Sequence, residues 1–129
     1  MSQGNEGSLS TLHARSAHDS FSKLSQYVGR YENVEFAVAQ SLIAGAIDFV
    51  VFIAKNRRLG GRRCVSTVLE VAGAPEGRVA SAPIFKPSPV DGRAARDPEV
   101  AITAERLDDL AAAGYDDDAY AYSYRAGSR

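Results

Sequence analysis

Near its start the chain reads Gly4-Asn5-Glu6-Gly7-Ser8-Leu9-Ser10-Thr11-Leu12-His13-Ala14-Arg15-Ser16. Short hydroxyl side chains alternate with leucines and lead into a histidine. The hydroxyls of Ser8, Ser10 and Thr11 can hydrogen-bond an anionic group, and Gly4 and Gly7 let backbone N–H groups approach one closely. A helix predicted to open just afterwards would turn the positive end of its dipole toward the same place. These residue types suit a phosphate oxygen. A lone histidine at a strand end is more often structural or exposed than catalytic, so the spacing by itself is a weak signal. His18 lies inside the following helix and reads as a surface residue. Cys64 sits in a strand-like run and reads as a small buried hydrophobe rather than a reactive thiol.

The elements that must hold this segment follow from periodicity. Ser8–His13 alternates loosely, as a strand end does. Ser16 and Asp19, three places apart, form a variant of the capping box. Phe21, Leu24 and Val28 then recur at helical spacing, predicting a helix of about four turns that ends near Gly29. A second helix is predicted from Asn33 or Val34 through Phe36, Val38, Ser41 and Leu42 to Ala46. Ile47–Ala54 is a nearly continuous apolar run, the pattern of a central strand covered on both faces. A turn at Asn56–Gly61, a strand at Arg62–Val71, a turn at Ala74–Gly77 and a strand at Arg78–Phe85 complete an antiparallel meander. Pro83 suggests that the last of these strands lies at an edge.

Beyond Lys86 the composition changes. Residues 86–98 carry Pro87, Pro89, Pro98 and Gly92 and read as a linker. Residues 99–115 hold a short helix capped by Thr103 and closed by Gly114. Residues 116–129, with Asp116-Asp117-Asp118 and alternating tyrosines, read as a frayed acidic tail. The fold class is α+β.

The 129 residues suffice for one domain with a core, and the net charge of −1 gives no global attraction to nucleic acid or anionic membrane. Charge is uneven: residues 1–85 carry a net +2 and residues 86–129 a net −3. A single cysteine cannot form an internal disulfide, which fits a reducing compartment. The start is polar, without the charged and apolar regions of a signal peptide, and no run is long enough to span a bilayer. A cytoplasmic protein is expected. Lys55, Arg57, Arg58, Arg62 and Arg63 crowd one turn, but without interleaved aromatics they read as a solvated hairpin tip or a subunit contact, not a nucleic-acid site.

The segment GNEGSLSTLHARSA resembles the histidine-containing box of the secretion ATPases, in particular those that drive Flp/Tad-type pilus assembly and related type II and type IV secretion machines. SAHDSFSKL, FAVAQSLIAGAIDFVVFIAK, GGRRCVSTVLEVAG and RVASAPIFK follow in the order found in the C-terminal part of that ATPase domain, and ITAERLDDLAAAGYD resembles its closing helix. The resemblance covers about residues 4–115. It implies that residues 1–85 are the C-terminal part of a RecA-like P-loop ATPase domain. It also implies that His13 lies near the γ-phosphate as the catalytic residue, with Ser10 and Thr11 as nucleotide-binding neighbours. ATP and Mg²⁺ are the cofactors of the family. Neighbouring ATPase subunits of a hexameric ring, and inner-membrane proteins of the secretion or pilus machinery, are the implied partners, with any place at the cell membrane peripheral.

The sequence contains no G-x-x-x-x-G-K-[S/T] and no acidic strand end before His13, and no metal ligands are assigned. The family's Walker A and Walker B segments would lie upstream of Met1, so the chain is expected to be a C-terminal portion of a larger ATPase, inactive alone. The alternative is a non-catalytic interaction module that docks on a full-length motor and modulates it. A small nucleic-acid-binding protein built on the arginine hairpin is a third and remoter reading.

Overall fold

The computed structural model describes residues 7–121. In chain order it contains helices α1 (Asp19–Glu32) and α2 (Phe36–Ala46), strands β1 (Phe49–Asn56), β2 (Arg62–Val71), β3 (Ser81–Pro87) and β4 (Ala94–Arg96), and helix α3 (Ala104–Ala112). The strands form one sheet in the order β1-β2-β3-β4. The fold is α+β with an antiparallel sheet, as the alternation of helical and strand periods predicts. The described residues divide into two compact units, 7–50 with 71–81, and 51–70 with 82–121.

In the first unit α1 packs on α2. Phe21 from α1 and Ala39 and Ile43 from α2 are buried, together with Ala17 and Val71. One polar relay runs through this core. Gln40 accepts from the Val79 N–H at 2.7 Å through Oε1, its amide donates to Ser25 Oγ, and Ser25 Oγ donates to the Phe21 carbonyl at 2.7 Å. Both side chains lie among buried residues, so each polar atom needs its partner. Helix α1 runs through Gly29 and stops instead at Asn33, which adopts the left-handed conformation (φ 49°, ψ 46°). Asparagine tolerates that conformation nearly as well as glycine, and a single glycine does not end a helix whose neighbours favour it. Gly77, at φ 73°, presses on α2: a Cβ there would stand 2.8 Å from the Ala37 Cβ. No strand forms over Ser8–His13, which is irregular. Only the expected hydroxyl and leucine alternation is present, with no neighbouring strand among the described residues to pair with it.

In the second unit the β1–β2 connection closes through the Gly61 N–H bonded to the Asn56 carbonyl at 2.8 Å, and Gly60 and Gly61 both take positive φ. Strand β2 matches its expected bounds, and Leu69 is fully buried. Strand β1 differs from its reading as a central strand. It is an edge of the sheet, and Val51 and Ile53 are 55% and 59% exposed. The even-numbered side chains Phe52 and Ala54 are only half-buried, and Asn56 is buried. Strand β3 is interior rather than an edge, because β4 pairs with it antiparallel through Phe85↔Arg96, Lys86↔Ala95 and Pro87↔Ala94. Pro83 lies before those three pairs, where its missing N–H removes none of these contacts.

The expected linker at 86–98 therefore contains the end of β3 and all of β4, and buries Arg96 and Asp97. Pro87 stands in the ladder itself, opposite Ala94, while Pro89 and Pro98 lie outside the paired residues. Within residues 116–121 of the expected tail, Asp117 and Tyr120 are tied to the rest of the unit, while Asp116, Asp118 and Ala119 are exposed. Asp117 binds Arg96 at 2.6 and 3.0 Å, Tyr120 stacks on Tyr115, and it meets the edge of Phe85. Tyr122 and Tyr124 lie outside the described residues. Helix α3 closes as expected, with Gly114 at φ 94° and the Tyr115 N–H bonded to the Leu110 carbonyl. Thr103, however, does not cap it. Its hydroxyl donates to Glu70 Oε1 at 2.5 Å, one of several bonds that hold this buried carboxylate.

Candidate functional site

The segment from Ser8 to His13 is irregular, and all six of its residues are exposed. Its downstream end is nevertheless fixed. Ser16 Oγ accepts from the Asp19 N–H at 3.1 Å, and Asp19 Oδ2 accepts from the Arg15 N–H at 2.9 Å. These bonds close a turn ahead of α1 and are not the expected capping box: Asp19 accepts from Arg15 instead of Ser16, and the N-cap of α1 is His18, which makes no side-chain cap bond. Lys23, one turn into α1, donates from Nζ to the His13 carbonyl at 2.8 Å. The backbone at His13 is therefore tied to α1.

The side chains of Ser10, Thr11 and His13 have no hydrogen-bond partner among the described residues. They offer two hydroxyls and an imidazole in sequence, groups able to donate to an anionic oxygen. Gly4 lies outside the described residues, while Gly7 takes a positive φ of 80°. The start of α1 is a less inviting anion site than its sequence suggests, because Asp19 already places a carboxylate there. His18, at the N-cap of α1, is exposed, in line with its reading as a surface residue. Among the described residues no group of three or more His, Cys, Asp or Glu side chains is arranged to hold a metal ion.

The second cluster of chemistry-bearing residues lies at the β1–β2 tip. Lys55, Arg57, Arg58, Arg62 and Arg63 are all exposed. Asn56 shapes the turn from inside: its Oδ1 accepts from the Arg58 N–H at 3.0 Å, and its Nδ2 donates to the Asp91 carbonyl at 2.5 Å. Beside it opens a shallow cavity of about 260 Å³, lined by Lys55, Arg57 and Arg58, with Cys64 and Ser66.

Sequence reading missed the buried ionic groups. Arg96 donates to the carbonyls of Ile84 at 3.1 Å and Val100 at 2.7 Å, to that of Asp97, and to both Asp117 oxygens. The hydrogen bond from Arg96 holds the Asp117 carboxyl below its ordinary range, against the opposing pull of burial. Burial, the largest single influence, pulls the Arg96 guanidinium down, but the hydrogen bond and charge of Asp117 together with Tyr115 outweigh it and its pKa is raised. Burial, then its bond to Asp117, pushes the Tyr115 hydroxyl up to about 12. Asp97 is held low chiefly by Lys86, 2.6 Å away. These pairs join residues far apart in sequence, and no local spacing announces them.

Comparison with protein-family models, with curated proteins and with solved structures finds no match. No helix among the described residues is long and apolar enough to cross a membrane.

Proposed function

We propose that this chain is the C-terminal portion of a secretion or pilus-assembly ATPase of RecA-like descent, in which Ser10, Thr11 and His13 form one wall of the nucleotide site. One observation carries the reading. The segment that resembles the histidine box is tied to α1 through the His13 carbonyl, yet the side chains of Ser10, Thr11 and His13 have no hydrogen-bond partner among the described residues, and Leu9 is 96% exposed. A segment anchored but unpacked is suited to completing a site on another surface.

The fit to the family's cofactor is partial. Hydroxyl and imidazole donors suit the phosphate end of ATP, which would supply the phosphoryl group for hydrolysis when bound. The described residues provide no carboxylate cluster for Mg²⁺. The phosphate cradle and the metal-holding groups belong, in this reading, to the rest of the motor, in the cytoplasm or peripherally at the inner face of the cell membrane. His13 would meet charge that develops at the terminal phosphate, and Lys23 would hold it in place through its carbonyl.

A phosphate-release assay tests this. The isolated chain is expected to show no turnover, and adding a secretion-ATPase core that carries Walker A and Walker B but lacks this segment is expected to restore it. No restoration, with the core shown to bind the chain, would contradict the reading. A second reading, a non-catalytic module that modulates an intact motor, is favoured by the exposed apolar residues of α2, Phe36, Val38 and Leu42, each about half exposed or more. In that case the chain would alter the turnover of a complete motor, and His13→Ala would leave the change intact.

A further inference from the structure

The strongest unassigned feature is the outer side of β1. Natural sheets protect their edges with charge, proline, bulges or very short strands, because an open edge offers unpaired backbone groups to other chains. Strand β1 is eight residues long and has no proline; its sole charge is Lys55, near its end. Among the described residues, no backbone hydrogen bond from outside the sheet reaches Val51 through Lys55. Val51 and Ile53 are more than half exposed, and Val65 on the neighbouring β2 is 37% exposed.

The strand also runs toward an uncompensated charge. Residues 49–69 include no Asp or Glu. Lys55, Arg57, Arg62 and Arg63 have no ion-pair partner among the described residues, while Arg58 donates to the Pro89 carbonyl. The carboxylate of Asp91, whose backbone carbonyl meets Asn56 beside the tip, is turned to its own loop, where it accepts from the Arg93 N–H at 3.0 Å and faces the Arg93 guanidinium at 3.8 Å. The cavity beside Lys55 and Arg57 has room for carboxylate side chains.

We propose that the open edge of β1 takes up an extended segment of a partner protein as a fifth strand, with aliphatic residues at alternate positions and acidic residues at the end beside the hairpin tip. The inference does not depend on the nucleotide reading. The ladder supplies affinity, the alternate side chains meet Val51 and Ile53 across the strands, and the carboxylates meet Lys55 and the tip arginines. A nucleic acid fits less well, because the one aromatic of β1 on this face, Phe49, is half-buried and lies at the opposite end of the strand from the arginines, so no base could stack beside the charged tip.

The test uses a fluorescent peptide of about ten residues, alternating valine and threonine and ending in a short run of glutamates, titrated against the whole chain. Saturable binding is expected, several-fold weaker at high salt, with slower hydrogen exchange at the β1 amides. A peptide ending in lysines is expected to bind about tenfold more weakly, as is the glutamate peptide to the Ile53→Lys variant or to the Lys55→Glu/Arg62→Glu variant. These side chains are exposed, and circular dichroism confirms folding of each variant. Absence of binding, or binding that leaves β1 exchange unchanged, would overturn the proposal. So would self-association abolished by Ile53→Lys, which would make a second copy the occupant. Tighter binding to phosphatidylglycerol vesicles than to the peptide, lost in the same variants, would overturn it in favour of a membrane surface.

Discussion

At the scale of single residues, the second unit is held by charges that local sequence spacing hides. Asp97 and Asp117 both titrate below the ordinary carboxylate range in the folded chain, the first through Lys86 and the second through Arg96. A carboxyl with a lowered folded pKa contributes stability that is complete above its unfolded value and lost as pH falls through the folded one. Urea-unfolding midpoints should therefore hold steady above about pH 5 and decline below about pH 4. Asp97→Asn should lower the plateau and flatten the decline; an unchanged acid limb would show that Lys86 does not hold Asp97 in solution. Tyr115 has the opposite sign. Its raised pKa gives stability present below about pH 10 and lost as pH rises toward 12. Gly77 makes a separate, steric contribution. Gly77→Ala combines positive φ with a Cβ 2.8 Å from that of Ala37, and should cost about 1–3 kcal/mol in the same assay. A cost below about 0.5 kcal/mol would mean that the turn moves freely away from α2.

At the scale of elements, what was legible depended on whether the cue was local. Strand β2 and the Gly114 stop of α3 were readable because periodicity and a left-handed glycine act within a few residues. The continuous apolar run at Ile47–Ala54 was misleading. It looks like a strand covered on both sides, but apolar composition cannot tell a covered face from one left open, and Val51 and Ile53 are open. Residues 86–98 were misread for the complementary reason. Their prolines and charges look like a linker, whereas the partner that anchors Arg96 lies at Asp117, beyond α3. Of the candidate site, the bond between Ser16 and Asp19 was legible, though it closes a turn ahead of α1 instead of capping it; the irregular course of Ser8–His13 was not, and the tie from Lys23 to the His13 carbonyl carries no sequence signature. The edge assignment of β1 predicts unequal costs in denaturant titrations. Val51→Thr should cost less than about 1 kcal/mol, while Leu69→Ala, from a fully buried position in β2, should cost about 2–5 kcal/mol. Equal costs would place β1 inside a covered sheet.

At the scale of the whole molecule, the proposed nucleotide wall is tied to α1 at the His13 carbonyl, its Ser10, Thr11 and His13 side chains have no partner among the described residues, and the sequence holds no Walker A phosphate cradle. Ground-state affinity for nucleotide comes mostly from that cradle, so the chain alone should show no saturable heat on titration with Mg-ATP at sub-millimolar concentration; a micromolar Kd would reveal a site elsewhere in it. A group beside the terminal phosphate instead meets charge that grows in the transition state, and its removal lowers kcat more than it raises KM. The most direct measurement is therefore steady-state phosphate release by the chain combined with the Walker A and Walker B core, comparing His13→Ala with His18→Ala. His13→Ala should lower kcat by about 10²-fold with little change in KM, and His18→Ala, at the exposed N-cap of α1, should do little. Equal effects of the two substitutions, or a change confined to KM for His13→Ala, would contradict a place for His13 at the reacting end of the nucleotide.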